Sequence, residues 1–450
     1  MLALAERKKR LGDPVRQGRN HNGLTLIEMM VVVAVTLIFM LALTRVFSIL
    51  GDSVNSGRSM IELNGNIRSI SQRIQRDLNG VTVPLDPPID LSRGAGYFEY
   101  LEGPASDKDI NKDGITDATR PSFANFDTRL GDRDDVLMFT ARSEGAPFVG
   151  RIPGGTIESQ VAEIIYWLAA VDLNGDNVAQ ANEWNLYRRV LLVLPYLDIS
   201  SADLTGSAFF TGGVGPDGKL GTSDDILGND ISARLEGGVM VANSLADLTK
   251  RENRFARTAT PAPYSVDATQ VIPFPPGSSR QGEDVLLSGV LAFDIRAFDP
   301  TASIISRVEG TGVQILSPGD PGWDPNVGQV IATGAYVDLN YYTDGLSTFS
   351  GPAHPKSGLV PTPIAKSTYD TWSFHYEHDG LDTDNDDPTL IDEGVDGIDN
   401  DGFHGPDDLM ERETLPPYLV RLRGIQILVR LYEPSSQAVK QATITANFVE

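Results

Sequence analysis

GLTLIEMMVVVAVTLIFMLALTRVFSIL, residues 23–50, is the stretch that decides the fold. Met29 to Thr44 is a run of 16 residues without a charge, and Glu28 is the only charge between Leu24 and Thr44. About 20 apolar residues span a bilayer as a helix, so residues 24–50 read as a transmembrane helix. The flank before it is basic. Arg7, Lys8, Lys9, Arg10, Arg16 and Arg19 face only Glu6 and Asp13, six cations against two acids over residues 1–23. Basic flanks stay cytoplasmic, which sends everything after the helix outward. A secretory signal would put small residues and a cleavage site after the apolar run. Here the small residue, Gly23, comes before it. A carboxylate inside an apolar helix, as at Glu28, is costly and marks a function.

Downstream, Ile61, Leu63, Ile67, Ile70, Ile74 and Leu78 recur at helical spacing, with Arg68, Gln72, Arg73, Gln75 and Arg76 between them. The spacing predicts one helix from about Leu24 to Leu78, about 80 Å long at 1.5 Å per residue, with residues 51–80 as its exported half. Gly51, Gly57 and Gly65 weaken it.

The combination of basic leader, Gly23, Leu24, Thr25, Glu28 and apolar run resembles the N-terminal signal of type IV prepilins and type II secretion pseudopilins. The resemblance implies that a prepilin peptidase removes residues 1–23 and that the new amine on Leu24 is methylated. Glu28, fifth in the mature chain, would serve assembly by pairing with the Leu24 amine of a neighbour in the apolar core of a filament. An unpaired buried charge costs several kcal/mol, so such a pair selects register. Leu24 stands where most of the family carry Phe, and Arg45 sits about where many major pilins carry Pro. The implied location is the inner membrane, single-pass, with the N-terminus cytoplasmic and the C-terminal domain periplasmic or extracellular. The implied partners are other pilin or pseudopilin subunits, the prepilin peptidase and the membrane itself.

Past Pro84 the pattern changes to short alternating runs separated by turn residues. Val136 to Thr140, Ala162 to Ala169, Leu186 to Leu194, Leu291 to Ala297 and Tyr336 to Tyr341 read as strands. At the C-terminus the apolar phase switches at Gly424, as a β-bulge would require. Pro434-Ser435-Ser436 then turns the chain into a last strand through Ile444, Ala446 and Phe448. The expected fold class is α+β, a long N-terminal helix followed by a mainly antiparallel β domain over residues 81–450. Long loop insertions are expected at about 200–280, 300–330 and 350–410. The order of Gly131-Asp132-Arg133-Asp134-Asp135-Val136, Leu186-Tyr187-Arg188-Arg189, Val290 to Asp299 and the hairpin from Pro417 resembles the larger minor subunits of the PilW and GspJ type.

The chain of 450 residues has no cysteine, which excludes disulfides, Cys-ligated metal and a cysteine nucleophile. Its formal net charge is −24, which repels nucleic acid and attracts cations. Residues 379–408 hold 12 acids and no Lys or Arg, half of that net charge. Calcium takes six to eight oxygens, and Asp/Asn loops supply them at alternate positions. Four segments fit: Asp109, Asn111, Asp113 and Asp117; Asp172, Asn174 and Asp176 with Glu183; Asp382, Asp384 and Asp386 with Glu393; and Asp396, Asp399 and Asp401. Twelve carboxylates without an internal cation repel one another unless metal neutralises them, so calcium is the expected cofactor. Type II secretion pseudopilins as a family use calcium in this way. Asp217 to Asp225 reads as ordinary turns.

Gly213 to Lys219 approaches a phosphate-binding loop, but Leu220 stands where Ser or Thr must bind magnesium. His375 and His378, within Thr371 to Tyr376 and just beyond, read as surface residues near a strand rather than a metal pair. The resulting expectation is a minor pilin or pseudopilin, a peptidase substrate and not itself an enzyme. One alternative is a surface adhesin or DNA-uptake tip, for which Lys250, Arg251, Arg254 and Arg257 are the clearest basic cluster. The other is a membrane-tethered, metal-dependent hydrolase.

Overall fold

The computed structural model describes residues 25–102, 131–152, 155–170, 183–199, 229–236, 239–255, 273–274, 280–310, 312–318, 320, 323, 328–339, 368–380, 391–408, 411–412, 418 and 420–448. The chain divides into two units, Met1–Arg58 and Ser59–Glu450.

Helix α1 (Leu26–Asn79) supplies the first unit and enters the second. Residues 25–50 are all exposed, and the helix is long and apolar enough to cross a membrane. Two hydroxyls inside the apolar run are satisfied within it. Thr36 Oγ1 donates to the Val32 carbonyl at 2.7 Å and Thr44 Oγ1 to that of Met40 at 2.8 Å. That back-bonding is what a hydroxyl needs where no water is present. The helix runs unbroken through Gly51, Gly57 and Gly65.

In the second unit the last turns of α1 bury Leu63, Ile70, Ile74 and Leu78 along one face. Fifteen strands follow among the described residues: β1 (Phe98–Leu101), β2 (Val136–Arg142), β3 (Phe148–Ile152), β4 (Gly155–Ser159), β5 (Val161–Ala170), β6 (Trp184–Leu192), β7 (Ala233–Glu236), β8 (Val239–Ala242), β9 (Val285–Ser288), β10 (Val290–Glu309), β11 (Gly312–Leu316), β12 (Gln329–Val337), β13 (Thr368–Asp370), β14 (Gly424–Glu433) and β15 (Ala438–Asn447). Their pairings are antiparallel. One sheet has the order β13-β1-β2-β5-β6-β9 and the other β11-β10-β14-β15, with β12 also on β10. β3–β4 and β7–β8 are separate hairpins. The α+β class expected from the sequence is the one observed.

The helix face joins one face of each sheet in a single core. Phe98, Leu137, Phe139, Ile164 and Leu186 come from the first sheet, and Phe293, Ile295, Ile425, Ile427 and Ile444 from the second. The first sheet is covered on its other face too, where Tyr97, Met138, Ile165, Trp167 and Tyr187 cluster with Leu248. Burial on both faces explains why β2 and β5 read as almost continuous apolar runs.

Three local expectations are corrected. Gly424 opens β14 rather than bulging it, because residues 420–423 lie outside the ladder and the apolar phase begins with the strand. The described part of the 300–330 insertion is largely strand. β10 continues for 20 residues, and its distal half pairs with β11 and β12 through Val308 opposite Val313 and Ile305 opposite Leu316 and Val330. Gly310, at φ 61°, makes the β10–β11 turn that L-residues rarely adopt. Phe374–His378 is a 3-10 turn rather than a strand extension.

Candidate functional site

The N-terminal motif folds into a helix start. Thr25 is the N-cap and Glu28 the third helical residue. The Glu28 amide donates to Thr25 Oγ1 at 3.3 Å, and Glu28 Oε2 accepts from the Thr25 amide at 2.9 Å and its hydroxyl at 3.1 Å. This reciprocal capping box satisfies two amide donors that the first turn otherwise leaves open. Its signature, Thr-x-x-Glu, stands in the sequence, although Thr25 was expected only as part of the N-terminal signal. Glu28 therefore has an intramolecular partner within a segment apolar on every side. Gly23 and Leu24 lie outside the described residues.

Of the fifteen residues proposed for calcium by position, five are described. Asp109, Asn111, Asp113, Asp117, Asp172, Asn174, Asp176, Asp382, Asp384 and Asp386 lie outside the described residues. Glu183 and Glu393 are buried. Asp396 is engaged locally, accepting from the Ile398 amide at 2.7 Å and from Asn400 Nδ2 at 3.2 Å. Asp399 and Asp401 do converge, with Glu411, so that one carboxylate oxygen of each lies within 4.8 Å of the others. Glu411 is buried and ties the loop by accepting from the amides of Asn400, of Asp401 at 3.2 Å and of Asp408 at 3.2 Å. It lies outside the spacing patterns of the acidic segments, so periodicity alone misses it.

A second group was not expected. Glu102, Asp132 and Asp135 bring carboxylate oxygens within 4.8 Å of one another. Asp135 accepts the Ile295 amide at 2.6 Å, and the Tyr100 hydroxyl donates to Glu102. Burial, then the neighbouring Asp132, Asp294 and Asp134 charges, push the Asp135 carboxyl well above the usual carboxylate range.

The basic cluster is not a surface. Arg251 and Arg254 are buried. Arg254 Nη1 contacts Asp370 Oδ1 at 2.8 Å and Glu99 Oε2 at 3.2 Å, and Arg251 Nε contacts Asp370 Oδ2 at 2.8 Å. Their guanidinium groups stack on Tyr97 at 4.3 Å and Trp372 at 4.0 Å. They are core ion pairs joining the 247–254 segment to β1 and β13. Arg257 lies outside the described residues. His375 is also buried rather than superficial, 3.1 Å from Ser373 Oγ and 3.5 Å from Glu252 Oε1.

The family matched is the prokaryotic N-terminal methylation motif, over residues 18–44. That stretch contains Gly23, Leu24, Thr25, Glu28 and the apolar run to Thr44, and supports the type IV pilin and pseudopilin family. Neither curated proteins nor solved structures yield a match.

Proposed function

We propose that this chain, which carries the prepilin N-terminal methylation motif and an apolar helix suited to anchoring it in the inner membrane, is a minor pilin or pseudopilin of a type IV pilus or type II secretion system. The observation that carries the reading is the Thr25–Glu28 helix start on an apolar helix exposed from residue 25 to residue 50. An apolar surface of that length needs lipid or neighbouring helices to cover it. Prepilin peptidase cuts after Gly23, Leu24 is methylated, and the β body stands outside the membrane with the N-terminus inside. The motif points to a structural, non-catalytic family. The DNA-uptake alternative loses its main support, since Arg251 and Arg254 are spent on Glu99 and Asp370.

Calcium belongs to the same proposal. Asp399, Asp401 and Glu411 offer the hard oxygen ligands that calcium takes, with lone pairs to spare on Glu411 beyond its amide contacts. Bound there, the ion would neutralise part of the acidic loop.

The test is recovery of the chain in sheared filaments when the full chain is expressed with its export machinery. Glu28→Ala should leave leader removal intact and strip the chain from the filament fraction. Equal recovery of the variant would refute the assembly role of Glu28.

A further inference from the structure

Arg73, Arg76 and Arg142 are exposed and meet no carboxylate among the described residues, in a chain of net charge −24. All three line one cleft of about 1320 Å³ between the last turns of α1, the β2–β3 loop and β15. Arg188, the fourth guanidinium in its walls, is held by Asp77, which leaves Glu144 as the one other acid there. The cleft therefore carries an excess of positive charge.

One wall of the cleft is a strand edge. β15 is the last strand of its sheet, paired with β14 on one side. Ile444 is buried between exposed Thr443 and Thr445, yet all three line the cleft. Side chains on opposite faces meet one opening only where the backbone edge faces it. Alternate residues of such an edge turn N–H and C=O groups outward with no strand to take them. α1 runs alongside. Lys440 Nζ meets Asn64 Oδ1 near the start of β15, and Asn79 and Asn447 line a neighbouring cavity near its end. The groove thus has a helix carrying Arg73 and Arg76 on one side and an open strand edge on the other.

The groove continues into that cavity, of about 790 Å³, which shares Asn79 and Glu144 with the cleft. This end is apolar, lined by Val81, Val83, Leu85, Ile89, Phe374 and Phe448. Its charges, Asp86, Asp90 and Glu144 against Arg93 and Arg421, no longer favour an anion. From Thr443 to Asn447 the strand rises about 14 Å at 3.4 Å per residue, the reach of about five residues of an extended partner. A free strand edge selects a polypeptide, since only another backbone matches its row of donors and acceptors. Guanidinium groups select carboxylates on it, often through two parallel hydrogen bonds. The net charge of the chain keeps long polyanions away, whereas a short acidic run feels the local cations within a Debye length of about 8 Å.

We propose that the groove between α1 and β15 takes an extended segment of a partner polypeptide, added as a strand on β15, with its carboxylates on Arg73, Arg76 and Arg142 and its apolar residues toward Phe374 and Phe448. The site draws only on the unit after Arg58, so it goes beyond the filament-subunit reading and its failure would leave that reading standing. The test is fluorescence anisotropy of the full chain in detergent with a labelled octapeptide. The peptide has Asp at alternate positions of its first half, Val at alternate positions of its second, and Thr between. It should bind, and a counterpart with Lys for Asp should not. Arg73→Glu with Arg76→Glu should weaken binding about tenfold, and Arg73→Lys with Arg76→Lys should preserve most of it. N-methylation of one alternate set of peptide amides should weaken binding about tenfold, while the other set, turned away from β15, tolerates it. Both arginines are exposed, and an unchanged melting temperature verifies that the variants fold. No binding, or binding indifferent to charge reversal, overturns the proposal. Equal binding by both N-methylated sets overturns it too, leaving an anion-binding cleft without strand addition. Self-association of the full chain that excludes the peptide overturns it by placing a second copy in the groove.

Discussion

Asp77 Oδ2, in the last turn of α1, accepts the Arg188 Nε hydrogen bond at 2.6 Å. Tyr166, directly opposite Arg188 across the β5–β6 ladder, donates its hydroxyl to the same oxygen at 2.5 Å. A carboxylate near a helix C-terminus opposes the macrodipole, so Asp77 depends on these two partners. The arrangement locks the end of the helix to the middle of the first sheet.

Breaking a buried pair strands the surviving charge and costs about 3 kcal/mol or more. Asp77→Ala and Arg188→Ala should each lower the urea midpoint by that order. The double variant should cost less than the sum, since the second change removes the stranded charge. Additive losses would show that the pair is not coupled.

The helix and its apolar run were legible because their signals are local: period and length within a few dozen residues. The anchor at Asp77 was not, because it needs the register that sets Tyr166 opposite Arg188. Arg251 and Arg254 misled for a related reason. In the sequence they form a basic cluster, but Arg254 finds Glu99 and Asp370 at separations of 155 and 116 residues. Asp399 and Asp401 were visible as candidate ligands by spacing. Glu411, which joins them, was not, because its place depends on how the loop folds back.

Glu163 gives the fold a pH dependence. Burial raises its carboxyl above the ordinary glutamate value of 4.5, and hydrogen bonds from Tyr97, the Phe255 amide and Ser232 draw it partly back. The unfolded chain therefore ionises first. Between the two values the folded state holds more protons, so this group's contribution to stability falls as pH rises from the unfolded value through the folded one. Glu163→Gln should flatten the corresponding slope in urea midpoints measured between about pH 4 and pH 8. An unchanged slope would mean that Glu163 ionises alike in both states.

The capping box makes the first helical turn depend on Thr25. Thr25→Ala should cost about 1 kcal/mol of local helix stability. Faster amide exchange over residues 26–29 in detergent micelles, with the rest of the helix unchanged, is the expected readout. Equal protection would assign no weight to the cap.

Calcium should raise the melting temperature of the full chain in detergent, with magnesium doing so far less. Asp399→Asn with Asp401→Asn should remove the part of that rise due to the 391–411 loop and leave the metal-free melting temperature little changed. A calcium response untouched by the pair would move the site elsewhere, and no response would reduce the loop to solvated turns.

On the proposed function, Gly23 and Leu24 form a processing junction rather than the edge of a plain membrane anchor. Intact-mass and N-terminal peptide analysis of the chain recovered from membranes containing prepilin peptidase reads that junction. The expected product is a mature chain beginning at Leu24, carrying one N-methyl group and retaining the whole of α1, with Gly23→Val leaving the leader in place. An N-terminus at Met1 in wild-type chain, or a cut after the apolar run, would contradict it.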